Sequence, residues 1–266
     1  MAREFTLAEL VICAAAQAWR GGGEVLATGI GPLPRIAAGL AKLTFAPEIL
    51  MTDGEAYLVE EPVPLGPRNG YVPKPSGWMP YARVFDSVWC GRRHAMVTPV
   101  QMDRWAQGNI SALGDIRRPS VQLLGMRGYP GNSISHRNSM FVPNHSRRTF
   151  IEGEVDVVAS VGYCGKRWPD GKPRDIDIGI VVTNLCVMDF KGPGHAARVI
   201  SLHPGVTFEQ VQAETGFPLL RADAVAITPD PTSGQLAIID RLDPTGIRAG
   251  VIKGNPPGRR AVAQGA

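Results

Sequence analysis

Apolar positions along this chain recur with two periods. In TLAELVICAAAQAW (6–19), Leu7, Leu10, Val11, Ala14 and Ala15 fall at helical spacing. Thr6 stands where an N-cap is needed and Glu9 follows three residues later, a capping-box pattern, while Gly21–Gly23 end the helix. EVLATGI (24–30) is a short apolar run with strand character. It passes through a Gly/Pro turn into a second helical stretch, GPLPRIAAGLAKLTF, and then into APEILMT (46–52), a further strand. Strand, glycine turn, helix and strand make a βαβ unit, which implies a parallel sheet with a right-handed crossover.

Downstream, HAMVTPVQMD (94–103), GNISALGDI (108–116), MFVPNHS, VDVVASVGY, IDIGIVVTNLCVMDF and ARVISLHPG supply more strand segments. SVQLLGMRGYPGNSIS (120–135) reads as a strand running into a glycine-rich loop. TFEQVQAETGF (207–217) reads as a short helix capped by Thr207. The stretch 62–81 holds six prolines, and a loop of that length in a compact protein is usually functional or covered by a partner. With no repeat or interdomain linker, residues 1–254 form one α/β domain, an open and mostly parallel sheet flanked by helices. Residues 255–266 read as a flexible tail.

Composition narrows the function classes. At 44% hydrophobic and 20% charged over 266 residues, the chain is globular and long enough to bury a sizeable core. A formal charge of +4 with scattered arginines favours small anionic ligands and argues against nucleic acid. Cys13, Cys90, Cys164 and Cys186 are far apart, so reduced thiols are expected rather than a disulfide framework, and no metal site. Neither a signal peptide nor an apolar run of about 20 residues is present, so a cytoplasmic protein without a membrane partner is expected.

Candidate chemistry gathers at two places. Both Gly29–Gly31 and Thr52–Glu55 leave strand ends, where open α/β sheets place their ligand crevice. Asp53, Glu55, Glu60 and Glu61 crowd the second of these, and GIGPLP fits a phosphate turn no better than a tight strand–helix turn. The loop GMRGYPGN (125–132) combines glycines, which let backbone N–H groups approach an oxyanion, with Arg127, whose planar fork suits a carboxylate or enolate. An ordinary turn carrying a surface arginine remains the alternative. Gln101, Asp103 and Asn109 read first as polar groups that satisfy turn backbone, and His145 and His203 as structural. GxSxG and Walker sequences are absent, leaving serine chemistry and nucleotide hydrolysis without support.

Taken in order, GIGPLPRIAAGLAKLTFAPEILMTDGE, GRRHAMVTPVQMDRWAQGNIS, LLGMRGYPGN, NHSRRTFIEGEVDVVASVGY, VVTNLCVMDF and LHPGVTFEQVQAETGF resemble the β subunit of family I coenzyme A transferases, with a glutaconate CoA-transferase flavour. The resemblance covers roughly residues 5–220. It implies a CoA-transferase-like fold, a homologous α subunit in an α2β2 assembly, and an acyl-CoA site between subunits. CoA then belongs to the substrate and no cofactor is needed. Transferases of this family attack the thioester with a glutamate of a Ser-Glu-Asn-Gly motif, which aligns with Thr52-Asp53-Gly54-Glu55. Asp53 therefore replaces the nucleophile, unless the register slips by two and Glu55 takes its place.

The glycine loop also departs from the transferase pattern, with Met126, Arg127, Tyr129 and Pro130 interrupting it. Both departures resemble a hydrolytic branch that opens a carbocycle of a steroid-derived CoA thioester in actinobacteria, with its main base on the α subunit. On that reading Arg127 stabilises charge, Gly125 and Gly128 shape the loop, and Gln101, Tyr129 and Asn132 contact substrate. Asp53 and Glu55 become polar neighbours. The alternatives are a true transferase using Asp53 or Glu55, and a non-catalytic structural partner.

Overall fold

Helix α1 (Leu7–Ala16) begins where Thr6 and Glu9 place it: the Thr6 hydroxyl accepts from the Glu9 N–H, and the Glu9 carboxylate accepts from the Thr6 N–H. The computed structural model describes residues 3–126 and 128–260, with the Cys90 side chain excepted. Strand β1 (Leu26–Gly29) turns into α2 (Pro32–Lys42), as expected. A Cβ on Gly29 would lie 2.3 Å from the Pro34 carbonyl, so the first glycine of GIG is needed for helix α2 to close onto the strand end.

The next segment corrects the expected βαβ unit. Only Leu50 bridges to Leu26 in parallel, and β2 (Met51–Thr52) pairs antiparallel with β3 (Tyr57–Val59), which pairs with β4 (Pro75–Trp78). The chain peels off because Asp53 closes a tight turn immediately after β2. The proline-rich stretch thus contains β4 and runs into α3 (Tyr81–Cys90). The true parallel neighbour of β1 is β5 (Arg93–Val97).

Short pairs follow: β6 (Gln101–Met102) with β7 (Gly108–Asn109), and β8 (Ala112–Leu113) with β9 (Val121–Gln122). The glycine-rich segment is helical at its end, as α4 (Tyr129–Ser135), with Pro130 in the first turn, where a missing N–H is harmless. Strand β10 (Asn138–Val142) lies beside β5. VDVVASVGY is not a strand. Val155 donates to the Asp103 carboxylate and Ala159 to the Gly108 carbonyl, so side-chain and single-bridge contacts replace a ladder. The hairpin β11 (Ile178–Thr183) and β12 (Cys186–Asp189) precedes β13 (Arg198–Leu202). Helix α5 (Phe208–Ala213) carries the expected Thr207 cap, and β14 (Leu220–Ile227) and α6 (Ser233–Leu242) follow.

The main sheet runs β1-β5-β10-β11-β12-β13-β14, parallel except at the two pairings that flank β12. Its side chains alternate between two cores. Met96, Phe141 and Val182 face α1, α2 and α6, whereas Ala95, Val97, Met140 and Val181 face Tyr129, Phe150 and Val211. Within the expected tail, 255–266, Leu7 N–H donates to the Pro256 carbonyl, Gly258 N–H to that of Phe5 and Arg260 N–H to that of Pro204, and residues 261–266 lie outside the described residues.

Candidate functional site

Beyond the carboxyl ends of β1, β5 and β10 lies a cavity of about 690 Å³. Ile30, Gly31 and Pro34 form one wall; Val97, Thr98 and Val100 form the floor; Val84, Phe85 and Val88 of α3 roof it; Leu123, Leu124 and Met126 close a side. The roof exists because Tyr81, Val84, Phe85, Val88 and Trp89 repeat at helical spacing, and because Gly131 admits α3 against α4. A Cβ there would sit 2.7 Å from Val88 and 3.0 Å from Trp89. That spacing was the available signal for a helix hidden behind the prolines.

The walls are almost wholly apolar, and the polar groups number few. Thr98 offers a hydroxyl, Arg93 a guanidinium and Asn132 an amide. Arg93 is buried; its Nε donates to Thr28 Oγ1 at 3.1 Å and its Nη1 to Asn132 Oδ1 at 3.1 Å. Burial pulls its pKa down, and among the described residues no carboxylate lies within ion-pairing distance. Asn132 Oδ1 also meets His136 Nε2 at 3.0 Å. Arg93 carried no motif, and only the tertiary packing marks it.

Of the residues singled out from sequence, Gly128, Tyr129 and Asn132 line this cavity, and Gly125 lies in its bordering loop with φ of 80°. Tyr129 contributes its ring, while its hydroxyl is buried in the protein and burial pushes its pKa upward. Gln101 lies elsewhere. Its Oε1 accepts from Asn109 Nδ2 at 2.7 Å and from the Asp156 N–H, and its Nε2 donates to Asp156, so it braces the β6–β7 turn. Arg127 falls outside the described residues.

Asp53 and Glu55 do not line the cavity. Asp53 Oδ1 accepts from the N–H groups of Glu55, Ala56 and Tyr57 at 2.8, 3.0 and 3.1 Å, and Oδ2 faces Arg68 at 3.6 Å. Burial pushes its pKa up, but the three backbone donors and Arg68 outweigh that and hold it below the usual carboxylate range. Such an oxygen is a turn cap. Glu55 is exposed and paired with Arg68 at 2.8 Å. The lining contains no Asp, Glu, His, Cys, Ser or Lys, so the described walls supply electrophilic groups and no strong base.

Other suspected groups are structural. Asp103 accepts from Trp105, Gln107 and Val155 N–H groups and from Gln107 Nε2. His145 bridges Thr183 and Thr215, and burial lowers its pKa to about 3. His203 bridges Thr228 and the Thr183 carbonyl, and burial lowers it to about 4. Cys13, Cys164 and Cys186 are buried free thiols. Among the described residues no helix is long and apolar enough to cross a membrane, and no cluster of three metal-ligating side chains occurs.

No protein-family model matches the chain. Curated relatives do. The cholesterol ring-cleaving hydrolase IpdB subunit of Mycobacterium tuberculosis is 43% identical over 245 residues, 91% of this chain and 97% of that protein. A 3-oxoadipate CoA-transferase subunit of Pseudomonas knackmussii is 31% identical over 250 residues, 88% of this chain and 92% of that protein. Among solved structures, Rhodococcus jostii RHA1 IpdAB superposes with a TM-score of 0.85 at 39% identity, covering 94% of this chain and 99% of that one. The mixed, mostly parallel sheet accords with these likenesses: the chain belongs to the family of IpdB subunits of cholesterol ring-cleaving hydrolases, within the wider CoA-transferase fold.

Proposed function

We propose that this chain is the β subunit of a heteromeric hydrolase that opens a carbocyclic ring of a steroid-derived CoA thioester, with the principal base supplied by a homologous α subunit. The observation that carries the reading is the cavity itself: large, apolar, and without a carboxylate, imidazole or thiol in its described lining. An apolar carbocycle fits such walls, and the base has to come from outside them. Tyr81, which lines the cavity, and Trp78 and Trp89 on the segments around it are exposed aromatic side chains suited to burial against the partner. The assembly we propose is α2β2 in the cytoplasm, with CoA entering as part of the substrate.

The chemistry is a retro-Claisen hydrolysis. A base takes a proton from water as its oxygen adds to a ring ketone. The resulting alkoxide is held by Arg127 and by N–H groups of the Gly125–Gly128 loop. Its collapse re-forms a carbonyl and breaks the ring C–C bond, leaving the electron pair as an enolate. The proton returns to that carbon, so the product is heavier by one water. Transfer chemistry is disfavoured here because Asp53 Oδ1 already accepts three N–H groups and lies outside the cavity.

Mass spectrometry of the assembled complex with ring-bearing CoA thioesters tests this. A product gaining one water with CoA retained is expected. CoA appearing instead on an added carboxylic acid would replace the hydrolase with a transferase.

A further inference from the structure

One wall of the cavity, made by Val100, Ile110, Leu123 and Leu124, is apolar in front and hydrogen-bonded behind. Gln101, Asn109 and Ser111 adjoin those residues in sequence but do not line the cavity. Asn109 is fully buried and uses both ends of its amide. Its Oδ1 accepts from the Ser111 N–H at 2.9 Å and the Ala112 N–H at 3.4 Å. Its Nδ2 donates to the Ala112 carbonyl and to Gln101 Oε1, both at 2.7 Å. Gln101 is locked from the far side: its Oε1 also accepts from the Asp156 N–H at 3.1 Å, and its Nε2 donates to Asp156 Oδ2 at 3.0 Å. The same carboxylate oxygen accepts from the Gly114 N–H at 2.8 Å, in the turn between β8 and β9.

This line of contacts ends at the glycine loop. The Ser111 carbonyl accepts from the Leu123 N–H at 2.9 Å and from Gln122 Nε2 at 3.3 Å. Ser111 Oγ has no partner among the described residues, so its own side chain does not fix that carbonyl, and the Asn109 amide does. Leu123 and Leu124 then lead directly into Gly125–Gly128, the loop that holds the alkoxide in the chemistry above. Two hydrogen bonds, Ser111 to Asn109 and Leu123 to Ser111, therefore join a saturated buried network to the start of that loop. Misplacing a reacting or stabilising group by about 1 Å costs about 10²-fold in rate, so so short a link bears on turnover.

We propose that Asn109, backed by Gln101 and Asp156, is a positioning residue that sets the Gly125–Gly128 loop for stabilising the alkoxide. Gln101, expected from the sequence to touch substrate, acts through Asn109. The effect on rate rests on the ring-opening reading; the mechanical link from Asn109 to Leu123 does not.

Three measurements on the assembled complex test it. Amide hydrogen exchange at Leu123 should be about tenfold faster in Asn109→Ala than in wild type, with β13 unchanged, as loss of a net hydrogen bond requires. Turnover of a ring-bearing CoA thioester should fall about 10²-fold in kcat in Asn109→Ala. In an Arg127→Ala background the same substitution should cost less than about threefold, because the group it aims is gone. A residue that only stabilises the fold would take the same factor from both backgrounds. Should Asn109→Ala fail to assemble, the exposed Asp156 supplies a second pair of variants. Asp156→Ala removes the acceptor for Gln101 and Gly114, and should lower kcat about tenfold with faster exchange at Leu123. Asp156→Asn keeps an acceptor oxygen and should stay within about threefold of wild type. Equal losses in the two Arg127 backgrounds, unchanged exchange at Leu123, or Asp156→Asn falling as far as Asp156→Ala would overturn the proposal. Arg127→Ala turning over near wild type, with Leu123 exchange still set by Asn109, would sink the oxyanion role and the rate effect with it, and leave the mechanical link alone standing.

Discussion

Two polar regions of this molecule differ in how completely their hydrogen bonds close. Around Asp103, Gln101 and Asn109, each carboxylate and amide meets backbone or side-chain partners, and Asp103 alone accepts four hydrogen bonds. At the cavity, Arg93 donates to two neutral acceptors, Thr28 and Asn132, and pairs with no carboxylate of the described residues. Both regions are buried and both combine Arg, Asn, Asp or Gln, so residue type does not separate them. Closure does. A saturated network holds a turn in place, whereas an unsaturated one is prepared for something that is not part of this chain.

The strongest challenge to that contrast is Arg127→Ala in the assembled complex. Loss of an oxyanion-stabilising group should lower kcat by about 10²- to 10³-fold. Turnover near wild type would favour a structural role for the chain.

Acid titration tests the saturated side. His94, His145 and His203 are held neutral by burial, with pKa values lowered to about 3, about 3 and about 4. The unfolded chain binds these protons first, so the stabilisation is full above about pH 6.5 and is lost as pH falls from there toward 4. Each histidine should contribute about 1.4 kcal/mol per pH unit in that window, and denaturant titration of His145→Gln should show a shallower slope by that amount. An unchanged slope would mean that His145 is not buried neutral.

Asp53 separates a cap from a nucleophile. Asp53→Asn keeps the acceptor oxygen for three backbone donors, so turnover should stay within about tenfold of wild type, about 1.4 kcal/mol. Abolished turnover would restore the transferase. Because the Asp53 pKa is lowered in the folded state, its stabilisation is present above the ordinary carboxylate range and lost as pH falls through it, and the Asn variant should lack that component of acid sensitivity. The smallest effect belongs to Glu55→Ala. Its exposed pair with Arg68 should contribute less than about 0.5 kcal/mol, measured by thermal unfolding, with activity unchanged.

Local rules reach furthest where the signal is local. The caps at Thr6 and Thr207, the turn at GIGPLP and the apolar strands β1, β5, β10, β11, β12 and β13 appear as expected, since each depends on residues within one turn or one face. APEILMT failed because strand pairing is a long-range choice: Asp53 ends the strand after two residues and sends it to a separate sheet. VDVVASVGY alternates well, yet its N–H groups go to Asp103 and Gly108 instead of a ladder. Helix α3 was visible in principle, but the prolines before it obscured its period.

Fold class, family and the absence of a transferase-type glutamate at Asp53 were all legible before any coordinates, because each resides in ordered motifs along the chain. Three-dimensional packing was needed to establish that Asp53 is a closed cap, that Gln101 is held by Asn109 and Asp156 away from the cavity, and that Arg93 lines that cavity with no carboxylate of the described residues paired to it. Those facts depend on which donors and acceptors meet across tens of residues, and spacing along the chain does not encode such meetings.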